Sequence, residues 1–394
     1  RYDTQAPLYR AIAEMTALRK AQPLFSRGVP TVLAGNAVQP GALVWRMAHE
    51  GRAAFVVFNT GDGDTLLPAL DTDLPEGAVL DPENKGFIPI PGTAAAFRLG
   101  GYLKADAIVD RDNSGLRTQF VPTTIPTGDI NERGAQTTLH AKQSRFNLEL
   151  RRPSASGEGN VRFLLENDFF GDSSSVNPTY RLRHLYAQVD NALLGQTWST
   201  YMDTDALPDT VDFAGPGASA SLRQTQLRYM QPFGDRSSFA IAVEQPETQI
   251  VHPSFVCLAS DDCSIDKVPD IPFALRVDRD WGHVQWSGVL RSLGYDDGVY
   301  DDAALGWGTS LAGVIKTTGE DSLQYQLQYG DGIGRYIADL DGSNVDAVAN
   351  AQGELESVTS YSGVIAYQHY WNANWRTTAS YSVARVGDEA LFEE

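Results

Sequence analysis

Eight basic side chains fall on segments that alternate polar with apolar residues: Lys104, Arg145, Arg162, Arg181, Arg183, Arg228, Arg276 and Arg291. A guanidinium offers its N–H donors in a planar fork that matches a carboxylate, so arginines gathered on one wet wall would attract and orient anions. Residues 201–221 add Asp203, Asp205, Asp209 and Asp212, with Pro208 and Pro216 stiffening the segment. Folded inward opposite the basic wall, these carboxylates would set a transverse field and narrow the passage. Two other arrangements stay open. The acidic segment could be a solvated external loop, and arginines could pair with acids along the wall, as Arg162 and Glu166 on one strand face allow.

Cys257 and Cys263 are the only cysteines, spaced C-x5-C in a long connection, and two alone suggest one disulfide in an oxidising compartment. A metal site would need more ligands than these and His252 supply. The six histidines show no H-x3-H or H-E-x-x-H spacing, and no nucleophile elbow, P-loop or Rossmann glycine run occurs. No catalytic residue, cofactor or metal is expected.

The chain has 394 residues, with 31 Lys and Arg against 50 Asp and Glu, a net charge of −19. That balance argues against a nucleic-acid partner, which needs a basic face. No run of 18 apolar residues exists, which excludes a transmembrane helix but not a transmembrane β-barrel, whose signal is alternation. The chain opens on Arg1 without a signal peptide and ends within a connection, so both ends read as cut.

Two unlike segments must position these residues. In the first, Leu8, Ile12, Met15 and Leu18 form a helical stripe that Pro23 stops, and strands are expected at 42–47 and 53–59. An acidic connection follows, and residues 1–82 read as a small α+β segment. Leu8-Tyr9-Arg10 through Ala17-Leu18-Arg19-Lys20, Trp45-Arg46 and Phe55-Val56-Val57-Phe58-Asn59-Thr60 make residues 5–80 resemble the C-terminal region of an α-amylase-type glycoside hydrolase. That family's catalytic carboxylates lie upstream of this region, so the resemblance implies a non-catalytic remnant and no enzyme.

From residue 83 onward alternation dominates. In 97–110, Phe97, Leu99, Leu103, Ala105, Ala107 and Val109 share one face, and Arg98, Tyr102, Lys104, Asp106 and Asp110 the other. Phe146, Leu148 and Leu150 oppose Arg145, Asn147 and Glu149, and Leu323, Tyr325, Leu327 and Tyr329 oppose Gln324, Gln326 and Gln328. About thirteen such strands are expected between Phe97 and Val386. Trp281, Trp307, Tyr370, Trp371 and Trp375 stand beside turns as membrane-interface girdles would, and short connections alternate with long ones. The fold class read from this pattern is all-β, an antiparallel transmembrane β-barrel over residues 83–394.

The same segment resembles the DcaP-like trimeric outer-membrane porins. The resemblance rests on GGYLKAD at 100–106, FVP at 120–122, QSRF at 143–146, ENDFFG at 166–171, RLRHLY at 181–186 and GQTWST at 195–200. It continues in MD at 202–203, LP at 207–208, GPG at 215–217, RY at 228–229 and GIGRY at 332–336. It implies a 16-stranded barrel, truncated here at its C-terminus, and a homotrimer in a Gram-negative outer membrane beside lipids and lipopolysaccharide. It further implies passive diffusion of small anionic, dicarboxylate-type solutes. A carbohydrate (maltodextrin) porin is the alternative, suggested by the amylase-like segment, and the two pieces read as joined near residues 78–86.

Overall fold

The computed structural model describes residues 13, 16–17, 19–20, 25, 27–34, 42–49, 52–59, 87–90, 95–126, 134–153, 160–251, 263–350 and 353–387. Contacts divide the chain into two units, residues 1–99 with 148–160, and residues 100–147 with 161–394.

In the first unit, Ala13, Thr16, Ala17, Arg19 and Lys20 are helical and exposed, while Leu8, Ile12, Met15 and Leu18 lie outside the described residues. Strands β1 (Val29–Ala34), β2 (Ala42–His49) and β3 (Arg52–Asn59) pair antiparallel in that order around buried Val44. Strand β4 (Ile88–Pro89) pairs with the start of β5 (Ala96–Tyr102). Buried Phe87 sits under the guanidiniums of Arg98 and Arg151, which both bond the buried Glu149 carboxylate at 2.5 and 2.8 Å.

The remaining strands are β6 (Asp106–Asp110), β7 (Gln136–His140), β8 (Arg145–Pro153), β9 (Asn160–Asp168), β10 (Arg181–Val189), β11 (Ala192–Trp198), β12 (Arg223–Phe233) and β13 (Ser237–Glu244). They continue as β14 (Ile250–Val251), β15 (Ile271–Arg279), β16 (Gly282–Asp296), β17 (Asp301–Lys316), β18 (Ser322–Asp331), β19 (Ala347–Ala349), β20 (Leu355–Ser357), β21 (Thr359–Asn372) and β22 (Trp375–Val386). Among the described residues one sheet holds fourteen strands, and all but β4 fall between Ala96 and Val386, against about thirteen expected from alternation. Within the second unit its strands from β9 to β22 follow one another as an antiparallel meander.

The faces of that sheet are inverted relative to a water-soluble protein. On β18, Gln324, Gln326 and Gln328 are buried, while Leu327 and Tyr329 are 57% and 49% exposed. Leu227, Leu290, Leu311 and Ile365 extend the exposed apolar face across neighbouring strands, and Gln226, Gln285, Ser287, Ser310 and Ser362 the buried polar one. Because successive side chains point to opposite faces, one sequence period creates both surfaces. An apolar outer band over a polar inner face is the wall of a transmembrane β-barrel. Trp281, Trp371 and Trp375 flank the short turns at one rim and are exposed, as interfacial residues are.

The long connections pack on the polar face. Tyr201, Met202, Ala220 and Leu222 of one connection, and Ile333, Tyr336, Ile337 and Leu340 of another, cluster on Val289 of β16. Strands β14, β19 and β20 form a small sheet of their own from two connections, with β14 and β19 parallel. The core of this unit is therefore made by loops.

One expected strand is two. Residues 97–110 break between β5 and β6, and β6 leaves to pair with β7 in a separate two-stranded sheet. At the break, Lys104 exchanges backbone bonds with the Ser144 hydroxyl, at 3.1 and 3.2 Å. Gly101 has φ of 135°, where a Cβ would stand 2.0 Å from the Arg145 carbonyl oxygen, so the site excludes side chains. Alternation runs unbroken through the bend, which is why it was invisible.

Candidate functional site

The connection from β11 to β12 contributes to the linings of two cavities within the second unit. The larger, about 510 Å³, is lined by Arg145, Arg181, Arg183 and Arg223, by Tyr102, Trp198 and Phe213, and by Asp209, Asp212, Asp339 and Asp341. Its basic side comes from strands. Arg181 and Arg183 sit two apart on β10, beside β9, which carries Glu166 and Asp168. Arg181 donates twice to Asp168, at 2.8 and 2.6 Å. Arg183 donates to Glu166 at 2.9 Å and to Asp168 at 2.8 Å, and Arg145 approaches Glu166 at 3.4 Å. Four guanidiniums face two carboxylates there, which leaves an excess of two positive charges on that wall.

The acidic side comes from connections. Asp209 pairs with Arg376, and Asp212 accepts from the Phe120 backbone N–H at 3.3 Å. Burial, with Asp212 as a second cause, pushes the Asp339 carboxyl above the usual aspartate range. Phe213 fixes the tip of the connection by stacking on Phe170, with centroids 4.3 Å apart and planes 4° from parallel. At its root, buried Glu244 accepts from the Ser199 hydroxyl (2.7 Å), the Thr200 N–H (2.8 Å) and the Gln224 amide (2.5 Å).

Replacing Glu244 with Ala strands these donors, a cost of about 1–3 kcal/mol. The expected result is a loosened connection with noisier, larger single-channel steps in planar bilayers; a wild-type current trace from E244A would refute this anchoring role.

The smaller cavity, about 250 Å³, is lined by Trp198, Met202, Asp203, Arg228, Arg276 and Gln285, among others. Arg276 bonds Asp203 at 3.3 Å, Asp205 at 2.7 Å and Asp278 at 2.9 Å. Asp203 also meets the His283 Nε2 at 2.7 Å. Asp203, Asp205 and His283 could offer three metal-ligand atoms, yet the Arg276 guanidinium already occupies both carboxylates. Arg228 donates to Gln226 at 2.8 Å and to the Trp198 carbonyl.

The structure thus brings Arg145, Arg181 and Arg183 to one cavity with Asp209 and Asp212, and Arg228 and Arg276 to the other with Asp203. Asp205 reaches that group through Arg276. Lys104, Arg162 and Arg291 line neither cavity. Lys104 meets Asp106 at 3.1 Å and Gln143, Arg162 lies over the Tyr186 ring, and Arg291 is buried among connections. Cys263 is disulfide-bonded and buried; Cys257 lies outside the described residues.

Sequence reasoning missed Arg223, Asp339 and Asp341. Arg223 has the parity of exposed Thr225, Leu227 and Tyr229 on β12, so alternation assigns it to the outer face. It is the first residue of that strand, and there it lines the cavity. Nothing distinguishes Asp339 and Asp341 from other loop acids until the fold is known.

The porin subfamily matches residues 84–392 of the chain. Among solved structures, it is similar to the outer membrane channel DcaP of Acinetobacter baumannii, with 19% identity and a TM-score of 0.62 over 75% of this chain and 80% of that one. It is also similar to an anion-selective porin from Comamonas acidovorans (13% identity, TM-score 0.48, 74% of this chain and 79% of that one). A third likeness is to the Salmonella typhi OmpF complex with daunomycin (10% identity, TM-score 0.46, 74% and 79%). No curated protein matches, and none of these likenesses supports the glycoside-hydrolase resemblance of residues 5–80.

Proposed function

The chain belongs to the porin subfamily, and from that premise we propose that it is an outer-membrane channel for passive diffusion of small anionic solutes, dicarboxylates above all. Residues 83–394 form the channel, and residues 1–82 a separate segment without catalytic function. The channel works as a homotrimer in the envelope of a Gram-negative bacterium, its apolar belt against lipid and its outer rim against lipopolysaccharide. The observation that carries the anionic reading is the excess of positive charge on the wall of Arg145, Arg181, Arg183 and Arg223. Fixed charge beside a water-filled passage raises the local concentration of its counter-ion and lowers that of its co-ion. The acids opposite restrict passage to solutes that turn their charged end toward the arginines.

Reconstitution in planar bilayers tests this. Reversal potentials in a potassium chloride gradient should report chloride as the more permeant ion, and liposomes should swell faster in succinate than in a neutral sugar of similar size. Cation preference, or faster swelling in maltodextrins, would overturn it.

A pH dependence follows from Asp339, whose carboxyl is held up by burial and by Asp212. The fold favours its neutral form; that contribution to stability is complete below the ordinary aspartate pKa of about 3.9 and is lost as pH rises through the raised value. On acidification Asp339 should take up its proton earlier than a free aspartate. One negative charge leaves the acidic side, so anion preference should strengthen. Asp339→Asn should hold the reversal potential near its acidic value and erase that step, and an unaltered pH curve for D339N would count against Asp339 as its source.

A further inference from the structure

The four arginines of the larger cavity are not held alike. Arg181, Arg183 and Arg145 contact Asp168 or Glu166, so each is positioned by a group that offsets its charge. Among the described residues, Arg223 makes no ion pair. Its guanidinium lies over the Trp198 ring, 4.3 Å from the centroid, while the ion-paired Arg183 lies farther over the same ring, at 5.8 Å. The register explains the pairing, because Trp198 closes β11 directly opposite Arg223 at the start of β12.

The distinction matters for a passing ion. A carboxylate that positions an arginine cancels much of the field a solute would meet. An indole attracts the cation through its quadrupole and carries no net charge, so the positive charge remains whole. Stacking also uses the face of the guanidinium and leaves its N–H edge for a carboxylate.

Trp198 is itself well fixed. Its carbonyl accepts from the Gln226 amide at 3.0 Å and from Arg228, and the His184 ring meets the indole edge-on with centroids 5.7 Å apart. It is also the residue common to the linings of both cavities, together with no other aromatic side chain.

We propose that the Trp198–Arg223 pair is the selectivity element of this channel, with Arg223 the charge that carboxylate solutes meet and Trp198 the positioning residue that holds it at the wall shared by the two cavities. The inference rests on the anion-channel reading above and deepens it. Trp198 acts through Arg223, so removing the ring should weaken selectivity although no charge changes.

Reversal potentials of the reconstituted full chain test this, with compact gel mobility before boiling as the folding control. Arg223→Gln should lower the anion-to-cation permeability ratio severalfold. Trp198→Leu should lower it in the same direction with the charge count intact, and Trp198→Phe, which keeps a π-face, should restore most of it. The double variant W198L/R223Q should fall no further than R223Q, because the two residues act as one unit. A wild-type ratio in R223Q overturns the proposal, and a wild-type ratio in W198L overturns the role of the ring. A wild-type channel with no anion preference would instead overturn the reading beneath it.

Discussion

Arg291→Met is expected to destabilise the barrel by about 3–5 kcal/mol, the cost of breaking a buried ion pair from one side. Arg291 and its partners are almost wholly buried: side chains of Arg291, Asp270 and Asp346 are 1%, 1% and 0% exposed. The guanidinium meets Asp270 at 3.1 Å and Asp346 at 3.0 Å, and donates to the carbonyls of Glu247 (2.6 Å) and Gly332. It thereby joins two long connections to β16. Methionine would fill the volume and leave two buried carboxylates with one cation fewer.

Burial already pushes the Asp270 carboxyl above its ordinary range even with Arg291 beside it. Without Arg291 the preference for the neutral form must grow, so R291M should recover stability as pH falls. The triple variant R291M/D270N/D346N should regain much of the loss, since it buries no charge. Thermal unfolding in detergent, followed by circular dichroism at neutral and acidic pH, gives the comparison. A single variant that melts with the wild type would mean that Arg291 holds nothing together.

Leu327→Arg should cost about 2–4 kcal/mol in a phospholipid bilayer, the penalty for a guanidinium on the lipid face near mid-membrane. Leu327 lies in the middle of β18 between Leu311 of β17 and Gly363 of β21, and it is 57% exposed. On the surface of a water-soluble protein the same exchange would stay within about 0.5 kcal/mol. The neighbouring position makes the contrast plain: Gln326, one residue away, is buried and bonds the Ala206 carbonyl at 3.1 Å and the Ala220 N–H at 3.0 Å. Equilibrium unfolding from vesicles measures the penalty. If L327R were as stable there as the wild type, the exposed face of β18 would not face lipid.

Alternation made much of this architecture legible in one chain. A strand has a period of two, so Gln324, Gln326 and Gln328 must face away from Leu327 and Tyr329 whatever surrounds them. The same rule places Arg145 on the polar face before any strand partner is known, whereas Arg181 and Arg183 share the parity of Leu185 and Val189 and reach the cavity through the irregularity between Leu182 and His184. It could not distinguish a wet wall from a paired one, because Asp168 and Glu166 meet those arginines only through the register of β9 with β10.

Position at a strand end defeated it more completely. Arg223 shares the parity of Leu227 yet lines a cavity, and Arg291 shares the parity of pore-facing residues yet is sealed beneath two connections. Residues 97–110 keep their alternation while the backbone turns out of the sheet. Along an unbroken strand such as β18 the inward or outward sense was thus determined by the sequence alone, since it depends on neighbours one and two residues away. Which charges stay uncompensated was decided by the tertiary structure, because a charge is cancelled or left whole by groups that only register and loop packing bring within reach.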